Sequence, residues 1–328
     1  MSILVTGGAG YIGSHTVVEL LNASENVVVL DNLHKGHRSA IQGGKFYEGD
    51  LRDDEFLNKV FSENSIEAVI HFAADSLVGE SISEPLKYYD NNIVSVIKLL
   101  GKMRRNGVDK IVFSSSAAVY GEPENNPIVE TDRTLPMNPY GETKLAVEKL
   151  LNWADSAYNI KYASLRYFNA AGAHTCGKIG EDHRPESHLI PIVLQAALGK
   201  RNVVNIYGDD YDTPDGSCIR DYIHVTDLAG AHMLALNRLR NGEGSSTYNL
   251  GNGKGFSVKE VIAAACRVTG VNIKAIVTER RPGDPAVLVA SSDKIQKELN
   301  WEPLFNKLET IIESAWNWQR NNPDGFRD

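Results

Sequence analysis

The stretch that decides the fold is Ile3-Leu4-Val5-Thr6-Gly7-Gly8-Ala9-Gly10-Tyr11-Ile12-Gly13, close to the start of the chain. Its apolar first part reads as a strand, and the residues from Tyr11 to Leu21 have the apolar spacing of a helix. The first two glycines permit a tight turn, Gly10 lets the backbone approach a diphosphate, and Gly13 lets helix and strand pack closely. Free amides at the start of the helix favour phosphate. The stretch therefore predicts a dinucleotide-binding strand–turn–helix unit.

Strand and helix signals alternate through the first half of the chain. Apolar runs at 27–31, 46–50, 68–73, 110–114 and 162–167 are predicted as further strands. Near-continuous apolar strands that alternate with helices indicate a parallel sheet covered on both faces. The predicted fold class is α/β, a doubly wound parallel (Rossmann) sheet with a smaller C-terminal α/β substrate domain.

The domain boundaries follow from a change in composition. Gly, Pro, His and Asp become dense after about Asn169, which is typical of loops around a substrate. We assign 1–175 to the Rossmann domain, to which 218–244 return as a strand and a helix. Residues 176–217 and 245–328 are assigned to the substrate domain.

The composition excludes several classes of protein. The 328 residues are 23% charged with a net charge of -8 and no basic block, so no nucleic-acid partner is expected. No apolar run approaches the roughly 20 residues that a membrane span needs, and no signal peptide is recognisable. Cys176, Cys218 and Cys266 are odd in number and widely spaced, so we expect free thiols in a reducing compartment. These features favour a cytoplasmic protein.

An acidic residue predicts which dinucleotide is bound. Asp31 ends the second strand, 18 residues after Gly13, where a carboxylate suits free ribose hydroxyls and opposes a 2′-phosphate. NAD is therefore favoured, although Lys35 and Arg38 are compatible with NADP. Asp50-Leu51 follow the third strand and are placed to meet the adenine; an acid that merely ends a strand is an equally good interpretation of Asp50.

Residues near the middle of the chain predict chemistry on an alcohol. Tyr140 and Lys144 are four positions apart and share one face of a helix. An ammonium near a phenol stabilises the phenolate and lowers the tyrosine pKa from about 10, so Tyr140 is the expected base. Ser114-Ser115-Ser116 end a strand, at the edge of the sheet where ligands bind. We prefer Ser116 as the substrate contact and interpret the other two serines as loop or cap residues.

The motifs together resemble the extended short-chain dehydrogenase/reductase superfamily and, within it, the UDP-glucose 4-epimerases. The further stretches that carry this resemblance are Asp31-Asn32-Leu33, His71-Phe72-Ala73-Ala74, Tyr88-Tyr89-Asp90-Asn91-Asn92, Ser114-Ser115-Ser116-Ala117-Ala118-Val119-Tyr120-Gly121, Asn138-Pro139-Tyr140-Gly141, Arg166-Tyr167-Phe168-Asn169, Ile179-Gly180-Glu181-Asp182, Asp215-Gly216-Ser217-Cys218-Ile219-Arg220-Asp221-Tyr222-Ile223-His224-Val225, Tyr248-Asn249-Leu250-Gly251 and Arg280-Arg281-Pro282-Gly283-Asp284. The resemblance runs nearly from end to end.

The resemblance implies an NAD-dependent interconversion of UDP-glucose and UDP-galactose. Tyr140 takes the proton of the sugar 4-hydroxyl, Ser116 bridges tyrosine and substrate, and Lys144 holds the nicotinamide ribose. Hydride passes from C4 to NAD, leaving a 4-keto sugar, and returns to the opposite face. The family also implies that NAD stays bound between turnovers and that the enzyme is a homodimer packed through helices of the first domain.

The resemblance also implies two sets of contacts. The expected cofactor contacts are Gly7, Gly10, Tyr11, Ile12, Gly13, Asp31, Asn32, Asp50, Leu51, Phe72, Ala73, Ala74, Asn91, Tyr140, Lys144 and Phe168. The expected substrate contacts are Ser116, Asn169, His188, Leu189, Asn205, Tyr207, Arg220, Arg281, Asp284 and Leu288. The two arginines are expected to clamp the diphosphate, for which a planar guanidinium is suited.

Two departures from the family pattern bear on specificity and on metal binding. Leu288 stands where some members carry a tyrosine that closes the pocket around the sugar C2 group. We therefore expect room for an N-acetyl group and turnover of UDP-GlcNAc and UDP-GalNAc as well. His188 replaces an asparagine, and with Asp182, His183 and Glu186 it suggests a metal site. We expect no metal, because an irregular loop that includes Arg184 and Pro185 is not expected to give ligand geometry.

Three other functions compete with this interpretation. A nucleotide-sugar 4,6-dehydratase needs an additional acid and base, whereas Ala117 and Ala118 stand at those places and cannot transfer protons. A UDP-uronate (UDP-glucuronate type) or pentose 4-epimerase is a closer rival, because specificity at C5 is unreadable in the sequence. A non-catalytic NAD-binding regulator is disfavoured because Ser116, Tyr140 and Lys144 are intact.

Overall fold

The computed structural model describes residues 1–281 and 284–328. Pro282 and Gly283, two residues of the motif that ends at Asp284, lie outside the described residues. The strands of the described chain are β1 Ser2–Thr6, β2 Val27–Asp31, β3 Lys45–Glu48, β4 Ile66–His71, β5 Lys110–Ser114, β6 Lys161–Tyr167, β7 Asn169–Ala171, β8 Val204–Tyr207, β9 Ile219–Arg220, β10 Tyr222–His224, β11 Ser246–Leu250, β12 Phe256–Ser257, β13 Ala275–Thr278 and β14 Val287–Leu288. The helices are α1 Tyr11–Asn22, α2 Asp54–Glu63, α3 Val78–Ser83, α4 Pro85–Tyr89, α5 Ser95–Arg105, α6 Pro139–Tyr158, α7 Leu189–Ala197, α8 Val225–Arg240, α9 Val258–Thr269, α10 Asp293–Leu299 and α11 Leu308–Asn321.

Seven strands form one parallel sheet in the order β11-β6-β5-β4-β1-β2-β3. The central strand β1 pairs on one side with β2 and on the other with β4, so that Val5 lies opposite both Val29 and Ile70. The order from β3 to β6 is that of a dinucleotide-binding sheet, with the crevice where the strand order reverses beside β1. The predicted α/β Rossmann class is confirmed.

Helices cover both faces of the sheet, which explains why its strands are apolar throughout. On one face α1 and α8 meet, and Val17, Leu20 and Leu236 join a buried cluster with the strands. On the other face Leu57 of α2 and Leu99 of α5 pack with residues of α6. Strand β2 is buried at every position, because it lies between two strands and two helical layers.

The structure corrects one part of the predicted domain division. Strand β11, residues 246–250, pairs with β6 at the edge of the large sheet, although the sequence placed all of 245–328 in the substrate domain. Its side chains Tyr248 and Leu250 are fully buried in the same cluster as α1 and α8. The pairing of β11 with β6, rather than its neighbours along the chain, places this segment in the large sheet. The division into two domains stays a prediction.

Short strands and three helices form the wall that faces the large sheet. Buried residues of α7, α9 and α11 pack together, including Val193, Val261 and Ile311. The single strand predicted at the start of 218–244 is split at Asp221: β9 pairs with β12 and β14, whereas β10 pairs with β7. The split is stabilised by the buried Asp221 carboxylate, which accepts hydrogen bonds from the amides of residues 252, 253 and 290.

Among the described helices, none combines the length and apolar character that crossing a bilayer requires.

Candidate active site

A cleft opens at the carboxyl ends of β1, β5 and β6, between the large sheet and the opposing wall. Sixteen of the residues predicted as contacts line its main chamber: Gly7, Gly10, Tyr11, Ile12, Gly13, Phe72, Ala74, Ser116, Tyr140, Lys144, Phe168, Asn169, His188, Arg220, Asp284 and Leu288. A second chamber continues from the glycine turn and is lined by Asp31, Asn32, Asp50, Leu51, Ala73 and Asn91. In the described part of the chain, Leu189, Asn205, Tyr207 and Arg281 are not among the lining residues, and their roles stay predictions.

The glycine turn is built so that a larger side chain cannot replace two of its residues. Gly7 has a φ of +72°, and a Cβ there would lie 2.5 Å from the amide nitrogen of Ala73. A Cβ on Gly13 would lie 2.1 Å from the carbonyl oxygen of Gly7. Gly10 caps α1 without a side-chain hydrogen bond, so the first amides of the helix have no internal partner. These free amides fit a diphosphate.

The acid at the end of β2 fits a ribose with free hydroxyls. The Asp31 carboxylate accepts hydrogen bonds from the amides of Ala9 (3.0 Å) and Leu33 (2.9 Å), which hold it against the glycine turn. Burial raises the pKa of Asp31, while these two amides oppose the shift. Arg38, which was compatible with NADP, forms an ion pair with Glu48 instead. The residues present therefore fit NAD.

The adenine end of the cleft contains a fixed carboxylate. Asp50 forms an ion pair with Arg52, 2.7 Å between Nη2 and Oδ2, and accepts a hydrogen bond from the Asn32 amide at 3.2 Å. Hydrogen bonding to Arg52 lowers the pKa of Asp50 to about 2. The position and charge of Asp50 are therefore set by a neighbouring guanidinium, and its contact with the adenine stays a prediction.

Tyr140 and Lys144 are positioned by the start of α6. Asn138 caps this helix by accepting a hydrogen bond from the Gly141 amide at 2.9 Å, which places Tyr140 in the first turn. One turn later, the Lys144 ammonium donates to the carbonyl oxygen of Ser114 at 2.8 Å and lies 5.8 Å from the centre of the Tyr140 ring. The side chains thus converge on the end of β5.

The pKa values of Tyr140 and Lys144 differ from what the sequence predicted. Burial raises the pKa of Tyr140, and the hydrogen bond with the Ser116 hydroxyl opposes that shift. Burial lowers the pKa of Lys144 to about 7, against the charge of Glu148. The expected net lowering of the tyrosine pKa is therefore wrong for the chain without ligands, because desolvation outweighs every favourable contact of the phenolate.

A buried polar network behind the catalytic residues was missed by the sequence reasoning. Ser115, interpreted as a loop or cap serine, donates to the Glu148 carboxylate at 2.5 Å, and Arg166 forms an ion pair with the same carboxylate at 2.6 Å. The Ser114 hydroxyl is hydrogen-bonded to that of Tyr167. An arginine inside the apolar strand β6 was the available signal, since a buried charge requires a partner.

The opposing wall also contributes charged side chains to the cleft. Arg220 forms an ion pair with Asp284 at the rim of the cleft. Outside the lining, the Arg281 guanidinium stacks on the Tyr207 ring, 3.8 Å from its centre. Leu288 is half-buried beside Phe168 and the apolar cluster of Val119.

The loop before α7 has a geometry that the sequence reasoning did not expect. Ligand atoms of Glu181, His183, Glu186 and His188 all lie within 4.8 Å of one another. The expectation that this irregular loop gives no ligand geometry is therefore wrong. It failed because Glu181, rather than Asp182, completes the group.

Comparisons with known proteins agree with this geometry. The model of the NAD dependent epimerase/dehydratase family matches residues 3–251. A UDP-glucose 4-epimerase of Halalkalibacterium halodurans is 61% identical over 326 residues, covering 99% of this chain and 98% of that protein. A crystal structure of a UDP-glucose 4-epimerase superposes with a TM-score of 0.99 at 56% identity over the whole of both chains.

A further solved structure contains ligands. The UDP-glucose 4-epimerase of Bifidobacterium longum, in complex with NAD+ and UDP, superposes with a TM-score of 0.94 at 43% identity, covering 99% of this chain and 100% of that chain. The resemblance inferred from the motifs is confirmed. The chain therefore belongs to the NAD dependent epimerase/dehydratase family and, within it, to the UDP-glucose 4-epimerases.

Proposed function

We propose that this chain interconverts UDP-glucose and UDP-galactose by oxidation and re-reduction at C4, with NAD as a bound cofactor. The observation that carries the proposal is the convergence of Tyr140, Ser116 and Lys144 in a cleft that begins at the glycine turn. When bound, NAD supplies the acceptor and the donor for the C4 hydride. The high identity to curated UDP-glucose 4-epimerases supports this substrate pair.

Tyr140 is the proposed base for the sugar 4-hydroxyl. Its phenol is nearly buried, and the Ser116 hydroxyl, which lines the same cleft, is proposed to carry the proton between substrate and tyrosine. Lys144 lies on the same helical face, 5.8 Å from the centre of the Tyr140 ring, and in its charged form its ammonium favours the phenolate. The same residues work in reverse when the 4-keto sugar is reduced, because the proton returns to the oxygen from which it came.

The opposing wall anchors the nucleotide while the sugar turns over. Arg220 faces the cleft and is the proposed diphosphate contact; Asp284, its present partner, is proposed to meet the uridine ribose. Arg281 is proposed to clamp the diphosphate together with Arg220. Tyr207, on whose ring Arg281 stacks, is proposed to face the uracil, outside the chamber that the described residues enclose. Anchoring at the diphosphate leaves the 4-keto sugar free to present either face, so that re-reduction inverts C4.

The enzyme is proposed to act as a homodimer in the cytoplasm. Ile97 on α5 is 52% exposed, Trp153 on α6 is 69% exposed, and the Tyr158 ring beside them stacks on Arg104. Apolar side chains on two adjacent helices suit a self-complementary interface. The cytoplasm is supported by the cysteines, which are free thiols in the described structure. Light scattering should give twice the chain mass for the wild type and a monomer for Trp153→Glu; a monomeric wild type refutes the dimer.

The first experiment is turnover without added cofactor. The purified chain is incubated with UDP-galactose, and the sugar products are followed by NMR. Conversion to UDP-glucose establishes the epimerase and a tightly held NAD. If no conversion occurs even after NAD is supplied, the proposal is refuted.

Turnover of N-acetylated UDP-sugars is a second proposal, carried by Leu288. This side chain lines the cleft next to Phe168, and leucine is smaller than the tyrosine that it replaces in some members. Parallel incubation with UDP-GalNAc tests it; conversion of UDP-galactose alone removes the dual specificity and leaves the epimerase. The rival epimerases of UDP-uronates and the non-catalytic regulator are not favoured, since the high-identity curated relatives are UDP-glucose 4-epimerases.

A further inference from the structure

Four side chains at the cleft wall form a compact group, which we call the His–Glu cluster: Glu181, His183, Glu186 and His188. Both histidines direct Nδ1 at the same oxygen of Glu181, at 3.2 Å for His183 and 2.5 Å for His188. Both also lie 3.7 Å from oxygens of Glu186. The four ligand atoms lie within 4.8 Å of one another, so that one ion can be placed among them once it replaces the His188–Glu181 hydrogen bond.

The orientation of the two imidazole rings matches two ligands of one ion. Their centres are 5.2 Å apart and their planes are inclined by 76°. Two imidazoles that bind one tetrahedral ion at about 2.0–2.1 Å have their ring centres about 5 Å apart. The Nδ1 atom of His183 is buried and has no hydrogen-bond partner among the described residues. A bound cation would satisfy this atom, whereas the protein around it does not.

The charge of the cluster points the same way. The side chains of Glu181 and Glu186 are only 6% and 4% exposed. In the described chain, neither forms an ion pair with a lysine or an arginine; the neighbouring Arg184 is paired with Asp182 at 3.0 Å. Among the described charged side chains, the two buried carboxylates face only histidines, so their negative charge is compensated either by protonated imidazoles or by a bound cation. With neutral imidazoles, a divalent cation brings the cluster to zero net charge.

The surroundings hold the four ligands in place. Glu186 accepts hydrogen bonds from the amides of Ser187 and His188, each at 2.8 Å, which fixes its carboxylate. The His183 ring stands edge-on to Tyr11, 6.0 Å between centres, and the Tyr11 hydroxyl donates to the Gly172 carbonyl at 2.7 Å. Such outer contacts are what orient the ligands of a metal site.

We propose that Glu181, His183, Glu186 and His188 bind one divalent transition-metal ion of the Zn²⁺ type. Two imidazole nitrogens and two carboxylate oxygens suit zinc better than magnesium or calcium, which prefer oxygen alone. Because all four positions are filled by protein, the ion is structural: it ties the loop before α7 to His188, the N-cap of that helix, next to Tyr11 of the glycine turn. The site does not depend on the proposed epimerase reaction.

The test is the zinc content of the intact enzyme. Wild type is purified from zinc-supplemented cells, passed through a desalting column, and analysed by mass spectrometry for metal per chain. About one zinc per chain is expected, with at least a fivefold loss in His183→Gln. The matched control is His174→Gln, which removes a histidine paired with Glu19 outside the cluster and should keep the zinc. Wild type that neither contains zinc nor binds it from a chromophoric chelator overturns the site.

X-ray absorption at the zinc edge keeps the proposal falsifiable if a variant fails to fold. Nitrogen and oxygen ligands at about 2.0–2.1 Å support the cluster, whereas a sulfur shell at about 2.3 Å assigns the ion to a cysteine such as Cys176 and overturns it. UDP-galactose turnover is measured on the same samples. Zinc without turnover refutes only the epimerase, and turnover without zinc refutes only the metal site.

Discussion

The two walls of the cleft hold their functional groups by different kinds of contact. On the sheet side, three functional groups are held by the backbone: Lys144 donates to a carbonyl, Asp31 accepts from two amides, and the phosphate site is a glycine turn. Asp50, which Arg52 holds, is the exception. On the opposing side, charged side chains hold one another, as in Arg220 with Asp284 and His188 with Glu181. The sheet side is therefore organised before any ligand arrives, whereas a diphosphate must exchange partners with the groups opposite.

The most severe test of the preorganised wall is Tyr140→Phe. Removing the phenol hydroxyl takes away the proposed base, so kcat for UDP-galactose should fall by about 10³-fold, within the usual range for general acid–base catalysis. Binding of UDP, measured by calorimetry, should stay within about twofold. Tyr89→Phe, an exposed tyrosine on α4 outside the cleft lining, is the matched control. Full activity of Tyr140→Phe would remove this residue from the reaction.

The next largest effect is expected from Gly13→Ala. The added Cβ would lie 2.1 Å from the Gly7 carbonyl oxygen, so the turn must open and the phosphate site is lost. Because NAD binding depends on the phosphate subsite, the NAD released on denaturation should fall from about one per chain to below about 0.1. Gly230→Ala on α8 adds a Cβ that meets nothing within 4 Å and should keep its NAD. Equal NAD in the two variants would contradict a backbone-built site.

A smaller effect comes from the burial of Lys144. Burial lowers its pKa to about 7 in the folded chain, from an ordinary value of 10.5. Between these values only the unfolded chain holds the proton, so the contribution of Lys144 to the free energy of unfolding rises with pH, by about 1.4 kcal/mol per pH unit. Urea unfolding of nucleotide-free enzyme at about pH 7 and about pH 9 should show a shallower rise for Lys144→Met. An identical slope in the two proteins would show that Lys144 is not desolvated.

The smallest effect is expected on the opposing wall, from Leu288→Tyr. The larger ring should fill the space beside Phe168 and lower kcat/KM for UDP-GalNAc about tenfold relative to UDP-galactose, a difference typical of a change in pocket volume. Leu288→Met keeps the volume and should leave the ratio unchanged. An equal loss for both substrates would contradict the pocket argument.

The same contrast explains what could be predicted from the sequence. The glycine turn, the strand that ends at Ser114 and the helix that begins before Tyr140 are local, because each is set by residues within one or two turns. Strand β11 was assigned to the wrong domain because its partner β6 lies about eighty residues upstream. No residue pattern within Ser246–Leu250 indicates that it pairs with β6. The break at Asp221 depends on three amides from two distant segments, 252–253 and 290. The His–Glu cluster depends on how an irregular loop folds back on itself.

The completion of the large sheet by β11, with α8 just before it, has a consequence for the order of synthesis. The side chains that cover one face of β1 and α1, among them Leu228 and Leu236, leave the ribosome more than two hundred residues after the strand that they protect. Throughout that interval an apolar face of the nascent chain remains open to solvent and to chaperones. A ribosome-stalled chain that ends at Arg220 should therefore be cut by protease within β1–α1, and one that emerges past Leu250 should resist.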